Sequence, residues 1–465
     1  MDLPIIQTPL FPRYIWMEEV IYSHIPIATL ITAFLVLAPF MELIGYKRRD
    51  LRWDRLARSL VFFAMILYSP GAALGTGIPI FIIGLYPEFW ARWSNLFFWP
   101  LIIQFIFFTI DVIFLFFFYY LPWDRMMDRK RRHIFFGFVT AFFGLAIQAV
   151  WDALGSYTLT PGAAFPAVTE AVGWSAQAFF NPTYPFLFFH RFFGNFSYTM
   201  LLVGGVLALK YMRARVKSEK DYYGWACDVT FSFGFLSFFA MPIIGYGYAK
   251  VIQAKAPVAF HAIMGGHVSG AFTLKMVLIL VFVSIAATYL FIRHKNKLPM
   301  LAAVTAGFGG LYVVLHLHPA LDWLGSAVAW RTAYSLIIVG FLVYLWRMRA
   351  RGRPITERRW PWLMFAAGMA AFFTFAIGGF VRERSKNPYA VYLQHEKPEA
   401  VPEERDRFLF YRVCIGCHHQ NAGDLLKIRG ENWRARVERE RRRLGVDLTD
   451  EEAGRIIRYL EENTR

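Results

Sequence analysis

The chain has 465 residues, of which 57% are hydrophobic, 18% aromatic and only 18% charged, with a mean hydropathy of +0.38. Soluble domains run about 45–50% apolar and about 25% charged, which excludes a single soluble globule. Three cysteines exclude a disulfide scaffold, and a net charge of +17 raises nucleic acid as a partner until the basic residues are located. The stretch Met1–Trp16 carries three prolines and no apolar h-region, so no cleavable signal is expected.

A bilayer core takes about 20 apolar residues per helix. Ten stretches reach that length, at approximately 18–45, 59–84, 96–121, 134–154, 186–209, 226–249, 270–292, 299–319, 328–346 and 361–381. The second contains Pro70, Gly71, Gly75, Gly77 and Pro79, so a bend or an early end is expected there. The segments at 46–58, 122–133, 210–224, 293–298 and 347–360 hold 25 Lys and Arg, against 4 in the alternate segments at 1–17, 85–95, 155–185, 250–269 and 320–327. Lys and Arg are retained on the cytoplasmic side. The pattern therefore predicts an all-α bundle of about ten transmembrane helices in a bacterial or archaeal cytoplasmic membrane, with both chain ends on the outer side. The positive charge is topological; lipid is the medium, and no nucleic acid is expected.

After Phe380 the composition changes. Residues 382–465 hold 18 Lys/Arg, 16 Asp/Glu and no apolar span. The expected division is a haem-binding membrane bundle at 1–381, a linker at 382–405 and a small c-type haem domain at 406–465. That last assignment rests on Cys414-Ile415-Gly416-Cys417-His418, a C-x-x-C-H motif. The two thiols add to haem vinyl groups and the following histidine is placed as proximal iron ligand. A zinc site would need a second cysteine pair, which the tail lacks. Thr449 with Glu452 forms a capping box ahead of a helix whose apolar face is Ile456, Ile457 and Leu460, and Trp433 and Val437 begin another helix. Small c-type domains often supply a methionine sixth ligand three residues after that valine. Glu440 stands there, no methionine follows Met369, and His395 and Lys427 are left as candidates.

Ionisable groups inside a membrane are costly and usually functional. Of the eleven histidines, His133 and His294 fall at cytoplasmic ends and His395, His418 and His419 in the tail. The other six, His24, His190, His261, His267, His316 and His318, fall in the outer half or outer loops, consistent with a haem layer near the outer face.

At these residues the helical part resembles subunit I of the cytochrome bd quinol oxidases. The matches are His24 in Tyr22-Ser23-His24-Ile25-Pro26, with Glu42 further along the span; Gly75-Thr76-Gly77-Ile78-Pro79; Trp123-Asp124-Arg125; Asn181-Pro182 before Phe189-His190; Met276; and Glu383 with Pro388-Tyr389. The resemblance covers roughly residues 15–290 and 375–390 and implies that His190 and Met276 ligate a low-spin haem b. It further implies that His24 and Glu383 ligate the paired high-spin haems, giving two or more haems b, with haem d the alternative to one of them. Arg191, Lys275 and Arg331 fall at outer helix edges, where they could pair haem propionates or simply snorkel. Cys227 reads as packing.

Three departures bear on function. The family carries two ionisable glutamates on its third helix, near the high-spin haems and their proton route. Here the comparable face offers Gln104 and Asp111, of which only Asp111 can relay protons. The long quinol-binding loop between helices 6 and 7 is replaced by the 250–269 connection, which has no acidic residue. The stretches at 299–346 look inserted, and the i, i+2 spacing of His316 and His318 keeps them from sharing one iron. The expected function is a membrane haem oxidoreductase that moves electrons between haem c and haem b at the outer face. It would reduce a small gas, O2 or NO, with His24, Glu383 and Asp111 as catalytic groups. Its expected partners are a cytochrome c or other periplasmic carrier and a second, homologous membrane subunit. The alternatives are a non-catalytic electron conduit within a larger respiratory complex and a haem-based sensor subunit.

Overall fold

A computed structural model of the chain describes residues 6, 10, 13–160, 173–264, 268–294, 359–385, 406, 409, 410, 413, 414, 425–444 and 448–464. Regular structure among them is helical. The long helices are α1 (Arg13–Arg48), α2 (Leu51–Leu85), α4 (Phe98–Ile113), α5 (Lys130–Tyr157), α7 (Tyr184–Arg213), α8 (Lys217–Lys255), α10 (Ser269–His294) and α11 (Trp360–Arg384). Short helices α3 (Pro87–Leu96), α6 (Ala176–Phe179) and α9 (Pro257–Met264) cap the connections. Eight of the described helices are long and apolar enough to cross a membrane, and each coincides with a stretch expected from the sequence. The remaining two expected spans, at 299–319 and 328–346, lie outside the described residues.

Large apolar side chains point outward, among them Phe105 (67% exposed), Leu236 (73%) and Ile243 (77%). In water such a surface would drive association; in a bilayer it faces its own solvent. α7 is the most enclosed of the long helices and α2 and α4 the least.

Of the bend or early end expected in α2, the early end does not occur: the helix runs from Leu51 to Leu85, 35 residues, through Pro70 and Pro79. Pro70 removes a single N–H, and α1 supports the segment: a Cβ at Gly71 would lie 3.0 Å from both Ile27 and Ile31 of α1. At the other end of α2, Asp50 caps the first turn by accepting from the Arg52 amide, and the Arg52 guanidinium holds its carboxyl below the usual range.

Close approaches set the depths of the helices. A Cβ at Gly368 of α11 would fall 2.8 Å from the Leu201 carbonyl of α7, so only glycine lets these backbones meet. The Asn181-Pro182 motif has a mechanical role at the start of α7. Asn181 Nδ2 donates to the Ala153 carbonyl at 3.1 Å, tying the entrance of α7 to the last turns of α5. α4 passes into a π-helix, Phe114–Tyr120, whose end is marked by an i→i−5 bond from the Leu121 amide to the Phe116 carbonyl at 3.0 Å. The π segment turns Leu115 and Tyr119 fully inward, and such segments gather at functional sites.

The tail has its own apolar core of Leu409, Phe410, Leu425, Trp433, Leu448, Ile456 and Leu460. Its helices, Trp433–Leu444 and Asp450–Asn463, begin where the sequence places them. The capping box forms, with the Thr449 amide donating to Glu452 at 3.0 Å and the Glu452 amide to Thr449 Oγ1 at 3.2 Å.

Candidate functional site

The expected ligands occupy four helices at the end of the bundle opposite the basic loops: His24 on α1, His190 and Arg191 on α7, Lys275 and Met276 on α10, Glu383 on α11. The His24 ring packs over Gly75 of α2, where a Cβ would fall 2.9 Å from Cε1. Its Nδ1 lies 3.0 Å from the Gly71 carbonyl. A carbonyl only accepts, so Nδ1 carries the hydrogen and Nε2 keeps its lone pair, the arrangement that orients a metal-binding imidazole. The Gly75-Thr76-Gly77 motif thus serves the histidine: one glycine gives the ring space, and a carbonyl one turn earlier sets its tautomer.

Arg191 is close enough to His24 to act on it electrostatically. It donates to Asp152 Oδ1 of α5 at 2.5 Å. Asp152 also accepts from Gln148 Nε2 at 3.1 Å, and Gln148 Oε1 accepts from Asn195 Nδ2 of α7 at 2.8 Å. This buried ladder clamps α5 to α7 beside His190. The His190 ring faces Tyr248 of α8, with centroids 6.2 Å apart, and lies above Gly245, where a Cβ would be 3.6 Å from Cε1. Its Nδ1 is buried without a hydrogen-bond partner among the described residues.

Lys275 is within electrostatic reach of His190, and its ammonium rests over α11, 3.2 Å from where a Gly378 Cβ would stand. On the same helix Arg382 lies over Gly155 of α5, within reach of Asp152, and approaches buried Glu383 at 3.4 Å. Gly379 faces Tyr22, two residues before His24. His24, His190, Arg191, Lys275 and Glu383 are therefore brought into one layer by α1, α7, α10 and α11, and Met276 follows Lys275, half-buried.

Asp111 lies outside this layer, towards the basic loops. It is buried and accepts from the Tyr68 hydroxyl at 2.8 Å. Gln104 is half-buried on α4. His261 lies on α9. Arg331, His267, His316, His318, His395, Cys417 and His418 lie outside the described residues. Cys414 is half-buried against the tail core, Lys427 is exposed and Glu440 is half-buried.

This donor set fits haem. Among the described residues no three His, Cys, Asp or Glu side chains converge as a protein-only metal cage. A haem iron instead needs only axial donors from the protein, and a free Nε2 on His24 and an orphaned ring nitrogen on His190 are of that kind. Sequence reading passed over Asp152, Arg382 and Tyr68. For Asp152 the signal was present: a carboxylate within an otherwise apolar span calls for a partner.

The Asp152–Arg191 pair predicts a stability effect. Asp152→Ala leaves the largely enclosed guanidinium uncompensated and is expected to cost about 3 kcal/mol, seen as a lowered Tm of the detergent-solubilised protein. An unchanged Tm would show that the clamp carries no weight.

The family model for cytochrome bd terminal oxidase subunit I matches residues 16–414. Among solved structures, the bd oxidase of Geobacillus thermodenitrificans is similar with a TM-score of 0.59 and 17% identity, covering 81% of this chain and 87% of that one. At that identity the likeness speaks for the fold. No curated protein matches.

Proposed function

The chain belongs to the cytochrome bd terminal oxidase subunit I family, a family of membrane haem oxidoreductases, and from that premise we propose that it passes electrons between a covalent haem c and haems b to reduce a small gas. The observation that carries this reading is the His24 ring, held by the Gly71 carbonyl over Gly75 so that Nε2 is free for iron. Bound haem would supply the redox chemistry. His24 and Glu383 are the high-spin ligands in this reading, and His190 with Met276 the low-spin pair. Arg191, Lys275 and Arg382 face the same layer as cations able to pair propionates, while the Asp152 ladder holds Arg191 in place. Asp111, buried and accepting from the Tyr68 hydroxyl, is an ionisable group able to relay protons within the bundle.

The one-sided Lys/Arg distribution supports a haem layer and both termini on the periplasmic side. Cys414, Cys417 and His418 would hold the haem that takes electrons from a soluble carrier there, in place of the quinol loop that the 250–269 connection is too short to form. A second membrane subunit completes the complex. The non-catalytic conduit is the competing reading, and Gln104 favours it, because an amide interrupts the ionisable pair on the third span.

The test is gas consumption by the purified complex with an artificial donor, run beside a pyridine haemochrome assay. The expected result is both b- and c-type signals and turnover of O2 or NO, with Cys414→Ser removing or weakening only the c-type signal. Absence of covalent haem, or a single haem per chain, overturns the architecture. Both haem types without turnover favour the conduit.

A further inference from the structure

At the basic-loop end of the bundle, α2, α7 and α8 bring two cations onto a pair of aromatic rings. Arg55, in the second turn of α2, lays its guanidinium over the Tyr222 ring of α8 at 3.9 Å and stands 5.9 Å from the neighbouring Tyr223 ring. Lys210, in the last turn of α7, reaches the same Tyr223 ring at 6.0 Å. Tyr222 is buried and Tyr223 half-buried, whereas Arg55 and Lys210 are exposed. The two rings, 5.4 Å apart, hold both charges in place at the surface.

A ring face orients a cation without neutralising it. The neighbouring cations of this end are matched by carboxylates: Arg52 by Asp50 at 2.8 Å, Arg58 by Asp124 at 2.6 Å and Lys130 by Asp54 at 2.8 Å. Arg55 and Lys210 are not. Among the described residues neither forms an ion pair, and the exposed acids in the first turns of α8, Glu219 and Asp221, engage neither of them. The two ring-held charges therefore call for an anion from outside the chain.

Below each cation the outward helix face turns apolar. Phe62 and Ile66 follow Arg55 by seven and eleven residues, about two and three turns, and so lie along the same line of α2. They are 46% and 52% exposed. Val206, one turn of α7 deeper than Lys210, is 46% exposed. An anionic group held at the two cations would have hydrocarbon attached to it lying against these side chains, which is the shape of a lipid and not of a soluble anion.

We infer that Arg55 and Lys210, seated on Tyr222 and Tyr223, form a binding site for the headgroup phosphate of an anionic phospholipid, with its acyl chains along Phe62, Ile66 and Val206. The guanidinium presents paired N–H donors to the phosphate oxygens, and the ammonium adds a further charge-assisted hydrogen bond. A zwitterionic headgroup brings its own cation against these two and is disfavoured, so the site selects for net negative charge. Basic pockets between spans on the cytoplasmic side suit such headgroups. The inference rests on α2, α7 and α8 crossing the membrane and is independent of the haem reading.

The test is native mass spectrometry of the haem-loaded complex, exchanged into detergent and titrated with phosphatidylglycerol or phosphatidylcholine. Phosphatidylglycerol is expected to bind about tenfold tighter than phosphatidylcholine. Arg55→Gln and Lys210→Gln should each weaken its binding about tenfold, the loss of one hydrogen bond between charged groups. Lys217→Gln removes an exposed charge from the same end without touching the rings, and should weaken binding about twofold or less, as screened surface charge does. Both ring-held side chains are exposed, so haem content and lipid-free Tm should match the wild type. Equal weakening in Lys217→Gln means a general surface potential and overturns the inference. Displacement of the lipid by inorganic phosphate at the same concentration means a free-anion site and overturns it too. A wild-type complex without preference for phosphatidylglycerol, as when a second membrane subunit covers this face, does the same.

Discussion

Replacing His190 with alanine will erase one low-spin b-type spectrum from the reduced-minus-oxidised difference and leave the high-spin bands largely intact. The expectation rests on the surroundings of the ring: Nδ1 is buried with no partner among the described residues, and the ring lies on Gly245 beside Tyr248. An imidazole enclosed this way without hydrogen-bond compensation is costly, and a ligated metal accounts for that cost. The Arg191–Asp152–Gln148–Asn195 ladder does not involve the imidazole, so α7 should keep its place in the variant. Optical spectra and haem counting of the purified variant provide the check. A low-spin spectrum unchanged by His190→Ala would falsify the assignment.

His24→Ala is expected to abolish carbon monoxide binding at the high-spin haem. This outcome separates the enzyme from the conduit, because gas reduction needs an iron with an open coordination position. A haem c would complicate the measurement, since Glu440 stands where a methionine ligand is usual and an iron lacking its sixth ligand also binds carbon monoxide. The comparison is therefore made in the full chain carrying Cys414→Ser and Cys417→Ser. Carbon monoxide difference spectra that persist in this background and vanish on adding His24→Ala support a catalytic high-spin haem. No carbon monoxide binding in the cysteine variant leaves the conduit. The effect should be all-or-none, because Gly75 leaves a space shaped for an imidazole, which alanine cannot fill as a ligand.

Much of this molecule is legible in its sequence because a bilayer imposes simple rules. An apolar run of bilayer length must become a helix, since a backbone in hydrocarbon has to satisfy its own hydrogen bonds. The eight described spans accordingly fall where composition places them, and the Thr449–Glu452 cap is local enough to read directly. The histidines, Met276 and Glu383 are singled out by type and by resemblance.

What sequence alone could not decide is which polar groups meet. Proline and glycine in α2 argue locally for a break, but Ile27 and Ile31 of α1 close against Gly71 and the helix continues. His133 reads as a residue at a helix end; only the packing of α1 against α5 buries it on Glu42, 91 positions away in the chain. Asp152 meets Arg191, Arg382 lies over Gly155, and Asp111 receives the Tyr68 hydroxyl by the same kind of long-range contact. Hydrophobic length determines that a segment crosses the membrane. The rotation and depth at which it does so depend on side-chain fit with its neighbours, and these set which buried charges find partners and which ring nitrogens are left for a metal.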